Sequence, residues 1–168
     1  MWLSDGVISL RPIAVADAPA YCAVEPAATV DWLHGGELSL PGVTGHFEMC
    51  AAAWRDGGPQ RVFAVTTQVE EDLLGVLGVH TGQPFLSAGQ ASVAYDLTPA
   101  WRRPTSATRA VVLGCRFLAR TSLAEEAVLR VDPGDAAAVM VARRAGFHYF
   151  RSSDTEHEGR LDWYYQAV

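Results

Sequence analysis

Residues 90–121, QASVAYDLTPAWRRPTSATRAVVLGCRFLART, contain two periodicities that decide the fold. Apolar side chains alternate with small or polar ones from Ala91 to Leu97, which predicts a strand with one strongly buried face. Pro99 follows and ends the strand. From Ala107 onward the apolar residues recur at spacings of three and four, with arginines on the opposite side. The stretch therefore predicts a strand, an irregular turn and an amphipathic helix.

The start of that helix is predicted to be an anion site. Thr105 and Ser106 are placed to cap the helix with their hydroxyl groups, and Arg102 and Arg103 stand just before them. The N–H groups of the first helical turn have no acceptor within the helix and point back toward the end of the strand. Together with two arginines, such a terminus is best suited to phosphate.

These residues resemble motif A of the GNAT acyl-CoA N-acyltransferases, in which a loop of pattern Q/R-x-x-G-x-G/A wraps the pyrophosphate of coenzyme A. Arg102 and Ala107 match its first and last positions. Residues 107–110, Ala-Thr-Arg-Ala, resemble the Ala-Thr-x-Ala helix start of the branch that includes ribosomal-protein N-terminal acetyltransferases. The motif is degenerate, because Arg103 and Thr105 replace the two glycines that are usual in this branch.

A second match lies downstream, where residues 131–138 read VDPGDAAA and residues 143–147 read RRAGF. This resembles the family's strand, Asn-x-x-Ser, helix and Ala-Gly-Phe block, with Asp135 in place of the Asn and Ala138 in place of the Ser. The resemblance covers nearly the whole chain. It implies one α/β (α+β) domain over residues 1–168, with helices flanking a mixed, mostly antiparallel sheet of about six to seven strands. That sheet is expected to splay between the family's fourth and fifth strands.

The splay has a function in the family, because the pantetheine arm of coenzyme A lies in it and pairs like an added strand. The resemblance therefore implies acetyl-CoA or another acyl-CoA as co-substrate, and no metal. It assigns cofactor binding to Leu97, Arg102, Arg103, Thr105, Ser106, Ala107, Thr108 and Asp135. The histidine spacing agrees with the absence of a metal, since no two histidines stand four residues apart.

The remaining elements are predicted in the same order as in the family. Strands are predicted at residues 6–13, 61–67, 73–81, 127–131, 147–151 and 161–167. Helices are predicted at residues 17–25, 44–55 and 136–145. Polar residues 152–159 are predicted to connect the last two strands.

Composition narrows the class of protein. A chain of 168 residues that is 49% hydrophobic suits one globular domain, and three widely spaced cysteines favour buried thiols over disulfides or structural zinc. A net charge of −6 argues against nucleic-acid binding and mildly favours cationic substrates. There is no leader pattern and no apolar run of about 18 residues, so we expect a cytoplasmic protein without membrane contact. All 13 basic residues are arginine and asparagine is absent, which suggests a GC-rich bacterial genome.

Acyl transfer to an amine needs a route for the ammonium proton and a hydrogen-bond donor for the leaving thiolate. Where this branch often has a Glu on the central strand, the chain has Ser92, and where other GNAT proteins have an acidic Tyr, it has Ala142. Tyr95 and Ser92 remain as the catalytic candidates on the central strand. Tyr95 also fits a core tyrosine with a hydrogen-bonded hydroxyl.

The acceptor side is predicted around residues 32–37, a region that roofs the acceptor site in the family. Trp32, His34 and Glu37 could hold a cationic acceptor by cation–π contact and charge, or they could form a loop that is packed for structural reasons. His80, on the preceding strand, completes the substrate candidates, and a structural histidine is the alternative there.

Two functions follow from these residues. The first is an acyl-CoA-dependent N-acyltransferase, which moves an acetyl group from acetyl-CoA to the primary amine of a small molecule or a protein N-terminus by direct attack in a ternary complex. The second is a catalytically degenerate GNAT-fold binding module, a metabolite sensor or protein scaffold, favoured by the missing glycines, Asn, Ser, Tyr and Glu. The sequence leaves the oligomeric state open, with a homodimer as one alternative.

Overall fold

The computed structural model describes residues 2–24, 39–98 and 101–168, except the side chains of Val24 and Pro104. The strands of this part of the chain are β1 (Leu3–Ser4), β2 (Ile8–Pro12), β3 (Gln60–Thr67), β4 (Leu73–His80), β5 (Gln90–Leu97), β6 (Glu126–Val131), β7 (His148–Thr155) and β8 (Gly159–Ala167). Its helices are α1 (Ala18–Val24), α2 (Leu40–Asp56), α3 (Pro104–Thr121) and α4 (Ala136–Arg144), with a 3-10 turn at Val15–Asp17 before α1. None of the described helices is long and apolar enough to cross a membrane.

The strands form one sheet in the order β1-β2-β3-β4-β5-β6-β8-β7. Every neighbouring pair is antiparallel except β5 and β6, which run parallel. The parallel pairing joins Gln90, Ala91 and Ser92 to β6 and then stops, so the two strands separate toward their carboxyl ends. The predicted mixed sheet and the splay beside the central strand are therefore confirmed.

The sheet has eight strands instead of the predicted six to seven. The additional strand is β1, whose two residues are too short to show a hydrophobic period in the sequence. The chain reverses between β1 and β2 at Gly6, which has a φ of +90°. A residue with a side chain rarely adopts that conformation, and the glycine permits the tight return that pairs Leu3 with Leu10.

Two apolar clusters cover the two faces of the sheet. On one face α3 and α4 pack over β5 side chains that include Val93 and Leu97. On the other face α1 and α2 pack through Tyr21 and Phe47. Successive side chains of a strand point to opposite faces, so Ser92, with Ala94 and Asp96, faces the side of α1 and α2.

The helix boundaries differ from the sequence predictions at two amino termini. Helix α2 begins at Leu40 instead of residue 44, because the Ser39 hydroxyl accepts a hydrogen bond from Gly42 N–H at 3.1 Å. Helix α3 begins at Pro104 instead of residue 107, with Arg103 as its N-cap and no side-chain capping bond. The predicted capping by Thr105 and Ser106 is therefore wrong. Proline suits the first helical position, and this start places both hydroxyl residues inside the first turn.

The closing hairpin also differs from its prediction. Residues 152–155 belong to β7, where Ser152 pairs with Asp162 and Thr155 pairs with Gly159, so the connection is shorter than the predicted residues 152–159. The polar composition was misleading because β7 lies at the edge of the sheet and is exposed along nearly its whole length. An edge strand needs no apolar alternation where nothing covers it.

The three cysteines are free thiols. Cys50 and Cys115 are buried as predicted, whereas Cys22 is only half-buried. Burial raises the pKa of Cys50 to about 11 and that of Cys115 to about 12, so both thiols are protonated near neutral pH.

Candidate functional site

The separation of β5 from β6 opens a cavity of about 240 Å³, here called the β5–β6 cavity. It is lined by Val93, Ala94, Tyr95, Leu129, Arg130, Val131, Asp132, Asp135 and Ala138. Beyond Ser92, the backbone of β5 has no hydrogen-bonded register with β6. An extended ligand that carries amide groups can pair with such a strand edge in the manner of an added strand.

Tyr95 lies in this cavity on the face of α3 and α4. Burial, and secondly the negative charge of Asp135, raise the pKa of Tyr95 to about 12. The hydroxyl group is therefore protonated at neutral pH and acts as a hydrogen-bond donor, while its anion is too rare to serve as a general base.

Asp135 both caps helix α4 and lines the β5–β6 cavity. Its side chain is the N-cap of α4, where Oδ1 accepts a hydrogen bond from Ala138 N–H at 3.0 Å. The residue also lines the β5–β6 cavity. A carboxylate has more acceptor sites than one capping bond uses, so Asp135 can still accept an N–H from a ligand in the cavity.

The start of α3 presents unpaired donors. Ala107 N–H donates to Arg103 O at 3.1 Å, but the N–H groups of Thr105 and Ser106 find no acceptor among the described residues. Arg103 and Thr105 are exposed, whereas the methyl group of Ala107 is buried in the core beneath them. The helix terminus retains the donors and the partial positive charge that anions prefer.

The positions where the family has glycine are unstrained here. Arg103 has a φ of −103°, and Thr105 lies in the first turn of α3. The residues with side chains and positive φ in the described ranges are Glu71 and Ser122, which lie elsewhere. The substitution of both glycines therefore carries no left-handed strain in this loop.

Arg102 braces the carboxyl end of β5. Its Nε donates to Leu97 O at 3.1 Å, and its Nη2 lies 3.6 Å from Asp96 Oδ1. Asp96 is buried and accepts a hydrogen bond from the Tyr21 hydroxyl at 3.3 Å. Leu97 O, part of the predicted pantetheine contact, is thus already bonded, although a carbonyl can accept a second donor. Thr108 lies one residue beyond Ala107, half-buried in α3.

A second cavity of about 270 Å³, here called the acceptor-side cavity, adjoins the first one. It is lined by Gln83, Phe85, Ser92, Val93, Ala94, Arg130, Glu158 and Leu161. Val93, Ala94 and Arg130 belong to both cavities, so the two meet at the middle of β5. Ser92 donates a hydrogen bond to Gln83 Oε1 in this second cavity. The two predicted catalytic residues therefore belong to different cavities.

His80 lines a smaller recess of about 60 Å³ together with Gln60, Gln83 and Ser92. Its Nδ1 accepts a hydrogen bond from Gly82 N–H at 3.0 Å, and burial lowers its pKa. The ring is therefore neutral near pH 7 and carries its proton on Nε2, which makes Nε2 a donor and leaves no free basic nitrogen. Trp32, His34 and Glu37, the other substrate candidates, lie outside the described residues.

Sequence reasoning missed three residues of the acceptor-side cavity. Arg130 Nη1 donates to Glu158 Oε2 at 2.9 Å and Oε1 at 3.1 Å. The guanidinium carbon of Arg130 lies 3.6 Å from the ring centroid of Phe85. The sequence signal was a single charged residue within the otherwise apolar strand β6. A buried charge requires partners, so Arg130 should have been treated as a site candidate.

Comparisons with known families and solved structures all lead to acetyltransferases. A family model described as an acetyltransferase (GNAT) domain matches residues 8–148. RimL, a ribosomal L7/L12 alpha-N-protein acetyltransferase in complex with coenzyme A, superposes with a TM-score of 0.83 at 15% identity, covering 100% of this chain and 98% of that chain. The ribosomal-protein-S5-alanine acetyltransferase of Vibrio fischeri superposes with a TM-score of 0.80 at 12% identity, covering 99% and 96%.

A third solved structure comes from Salmonella typhimurium and is described as an acetyl transferase that modifies the N-terminal serine of ribosomal protein L7/L12. It superposes with a TM-score of 0.78 at 16% identity, covering 96% of this chain and 95% of that chain. No curated protein sequence matches the chain. At these identities the solved structures establish the shared fold, and the family model establishes membership. The chain therefore belongs to the GNAT acetyltransferase family.

Proposed function

We propose that this protein transfers an acetyl group from acetyl-CoA to a primary amine by direct attack in a ternary complex. The observation that carries the proposal is the contact between the β5–β6 cavity and the acceptor-side cavity at Val93 and Ala94. One cavity suits an extended amide-containing arm, and the other is open to a second reactant. Two reactants bound in these cavities would meet at the middle of β5.

The described residues suit two parts of coenzyme A, the pyrophosphate and the amide-containing arm. The unpaired N–H groups of Thr105 and Ser106, with Arg103 beside them, would hold the pyrophosphate at the start of α3. The open edge of β5 and the carboxylate of Asp135 would hold the amide groups of the arm. Acetyl-CoA would supply an activated thioester carbonyl, and the chain would supply its position.

The residues around the reacting centre favour positioning over proton transfer. Tyr95 is a neutral donor, and we assign it a hydrogen bond to the departing thiolate. His80 lacks a free basic nitrogen, so it would orient the acceptor through Nε2–H. Holding two reactants in line can contribute about 7–11 kcal/mol to lowering a barrier, which allows turnover without a dedicated base. The acceptor amine would then lose its proton to solvent.

The proposal is tested by blocking the β5–β6 cavity from α4. Ala138 lines the cavity, whereas the adjacent Ala137 is exposed and does not. We expect Ala138→Leu to weaken acetyl-CoA binding at least about tenfold by calorimetry. We expect Ala137→Leu to behave like the wild type. Thiol release from acetyl-CoA is then measured against a panel of amines and peptide N-termini. Equal binding by both variants, or no thiol release above hydrolysis with any acceptor, would contradict the proposal.

One observation favours the binding module as a second candidate. Among the described residues that line the acceptor-side cavity, Glu158 carries the one carboxylate, and Arg130 engages both of its oxygens. The described lining of this cavity offers no other carboxylate to take the proton of an acceptor amine. Acetyl-CoA binding without transfer to any acceptor would select the binding module.

A further inference from the structure

Arg130 stands where the two cavities meet and is held in a fixed orientation. Its guanidinium carbon lies 3.6 Å from the Phe85 ring centroid and 5.3 Å from that of Trp163. Its Nη1 binds both oxygens of Glu158. The side chain is 19% exposed, so it is largely removed from water but still reaches the cavity. Rings near the guanidinium and an ion pair at one end leave this side chain little rotational freedom.

Within the part of the chain that the structure describes, the remaining donors of Arg130 have no partner. A guanidinium group carries five N–H donors in a planar fork, and only Nη1 is used. Neither Nη2 nor Nε has a hydrogen-bond acceptor among the described residues. A fixed and largely buried fork with free donors matches the geometry of a carboxylate, which it can bind through two parallel hydrogen bonds.

Glu158 places the opposite charge next to this fork, 2.9 Å from Nη1. The pair therefore presents adjacent positive and negative groups on the wall of the acceptor-side cavity. Adjacent charges of both signs are complementary to a molecule whose carboxylate and ammonium are close together. Val93 and Ala94 place this wall beside the open edge of β5, where the proposed thioester would lie.

We propose that Arg130 selects an acceptor that carries a carboxylate next to its amine, as a free α-amino acid does. This inference rests on the proposed function and specifies its acceptor. A peptide N-terminus has a neutral amide in the place of that carboxylate and forms a weaker bond with guanidinium. Arg130 is a specificity residue in this account, because it binds the acceptor and not the reacting atoms.

The test uses acceptors matched in threes, namely an α-amino acid, its amide and the corresponding decarboxylated amine, for several side chains. Thiol release from acetyl-CoA gives kcat/KM for each acceptor. We expect the acid to exceed both the amide and the amine by at least about tenfold in the wild type. Arg130→Gln should reduce that ratio to about one, and Arg130→Lys should restore part of it.

Arg151 offers a matched control. Its guanidinium carbon lies 3.7 Å from the Trp163 ring centroid, yet it does not line the acceptor-side cavity. Arg151→Gln should keep the preference for the acid. Thermal melting of each variant establishes that the fold is intact. A preference that survives in Arg130→Gln, or an equal rate with the amide in the wild type, would overturn the inference.

A second readout makes the inference independent of turnover. The same acceptors are titrated into the protein in the presence of coenzyme A, and binding is measured by calorimetry. Selective binding of the acid, lost in Arg130→Gln, would support the inference even if no acetyl group is transferred, and would then contradict the proposed function alone. Absence of binding, or binding without selectivity, would overturn the inference while leaving any observed transfer intact.

Discussion

Ser92 and Tyr95 stand three residues apart on β5, their side chains lie on opposite faces of the sheet, and they line different cavities. Side chains alternate along a strand, so an odd spacing separates them. In the proposed function Tyr95 would contact the coenzyme A arm, and Ser92 would face the acceptor. The two residues cannot act as one proton relay, because the strand itself lies between them. Each can therefore be tested alone.

Tyr95→Phe removes one hydrogen-bond donor from the β5–β6 cavity. We expect turnover to fall by less than about a hundredfold, because orientation of the reactants is retained. The pKa of about 12 keeps Tyr95 protonated across neutral and mildly alkaline pH. The variant should therefore show the same shape of pH–rate profile as the wild type from pH 6 to about 9.5. An ionisation that disappears from this profile in Tyr95→Phe would show that Tyr95 acts as a base.

Arg102 and Arg103 should differ sharply when each is replaced by alanine. Arg102→Ala leaves Leu97 O without its donor and removes a cation near buried Asp96. We expect the free energy of unfolding to fall by about 1–3 kcal/mol. Arg103 is exposed and makes no side-chain capping bond, so Arg103→Ala should change stability by about 0.5 kcal/mol or less.

Acetyl-CoA titrations of the same two variants test the pyrophosphate site. Arg103→Ala should weaken binding and reduce its dependence on salt, because one charge near the pyrophosphate is lost. An unchanged dissociation constant at low salt would show that Arg103 does not contact the cofactor.

Asp135 allows its capping bond and its charge to be separated. Asparagine caps helices as well as aspartate does, so Asp135→Asn should preserve stability. Asp135→Ala should cost about 0.5–2 kcal/mol. Both variants remove the negative charge that helps to raise the pKa of Tyr95, so that pKa should decrease in both but stay above its usual value, because burial is the larger cause. The difference in phenolate absorbance between each variant and its Tyr95→Phe counterpart measures the pKa.

Cys115 makes the stability of the protein dependent on alkaline pH. Its pKa is raised to about 12 by burial, from 9.0 for an exposed thiol. Well below pH 9 the thiol is protonated in both the folded and unfolded states. At higher pH the unfolded thiol ionises first, so the free energy of unfolding must decrease as pH rises toward the folded pKa.

Urea unfolding from pH 8 to about 10.5 under reducing conditions should show this loss of stability, with a smaller slope in Cys115→Ala. Cys22 is half-buried, and burial raises its pKa without the large shift of Cys115. Cys22→Ala should therefore change the slope little. Identical slopes in the wild type and Cys115→Ala would contradict the assignment.

The central strand and helix were predictable because their hydrophobic periods are strong, from Ala91 to Leu97 in the strand and from Ala107 to Leu118 in the helix. The start of α3 was not, since Pro104 was interpreted as part of a loop although it suits the first helical position. The second half of β7 was predicted as a loop because its residues are polar. An edge strand can be polar, because it does not need an apolar face.

The site was predictable only where its residues lie on regular elements. Tyr95 and Asp135 were predicted from their positions along the chain, and the structure places both in one cavity. Phe85 and Glu158 lie in separate turns between strands, and no local pattern shows that these turns meet. Arg130 had a local signal, and its partners became visible only when the sheet brought both turns against it.

The short β5–β6 pairing lowers the cost of separating the two halves of the sheet. The half of the sheet formed by β1 to β5 is paired with the half formed by β6, β8 and β7 through three residue pairs, and the N–H groups of Glu125 and Glu126 donate to Gly89 O just before them. The antiparallel pair β6 and β8, by contrast, is joined along six residues of each strand. Apart from the pairing of the two-residue edge strand β1, this is the shortest pairing in the sheet, and it lies beside the place where the proposed chemistry would occur. Local unfolding begins where few backbone bonds must break, so amide exchange should divide the protein along this line.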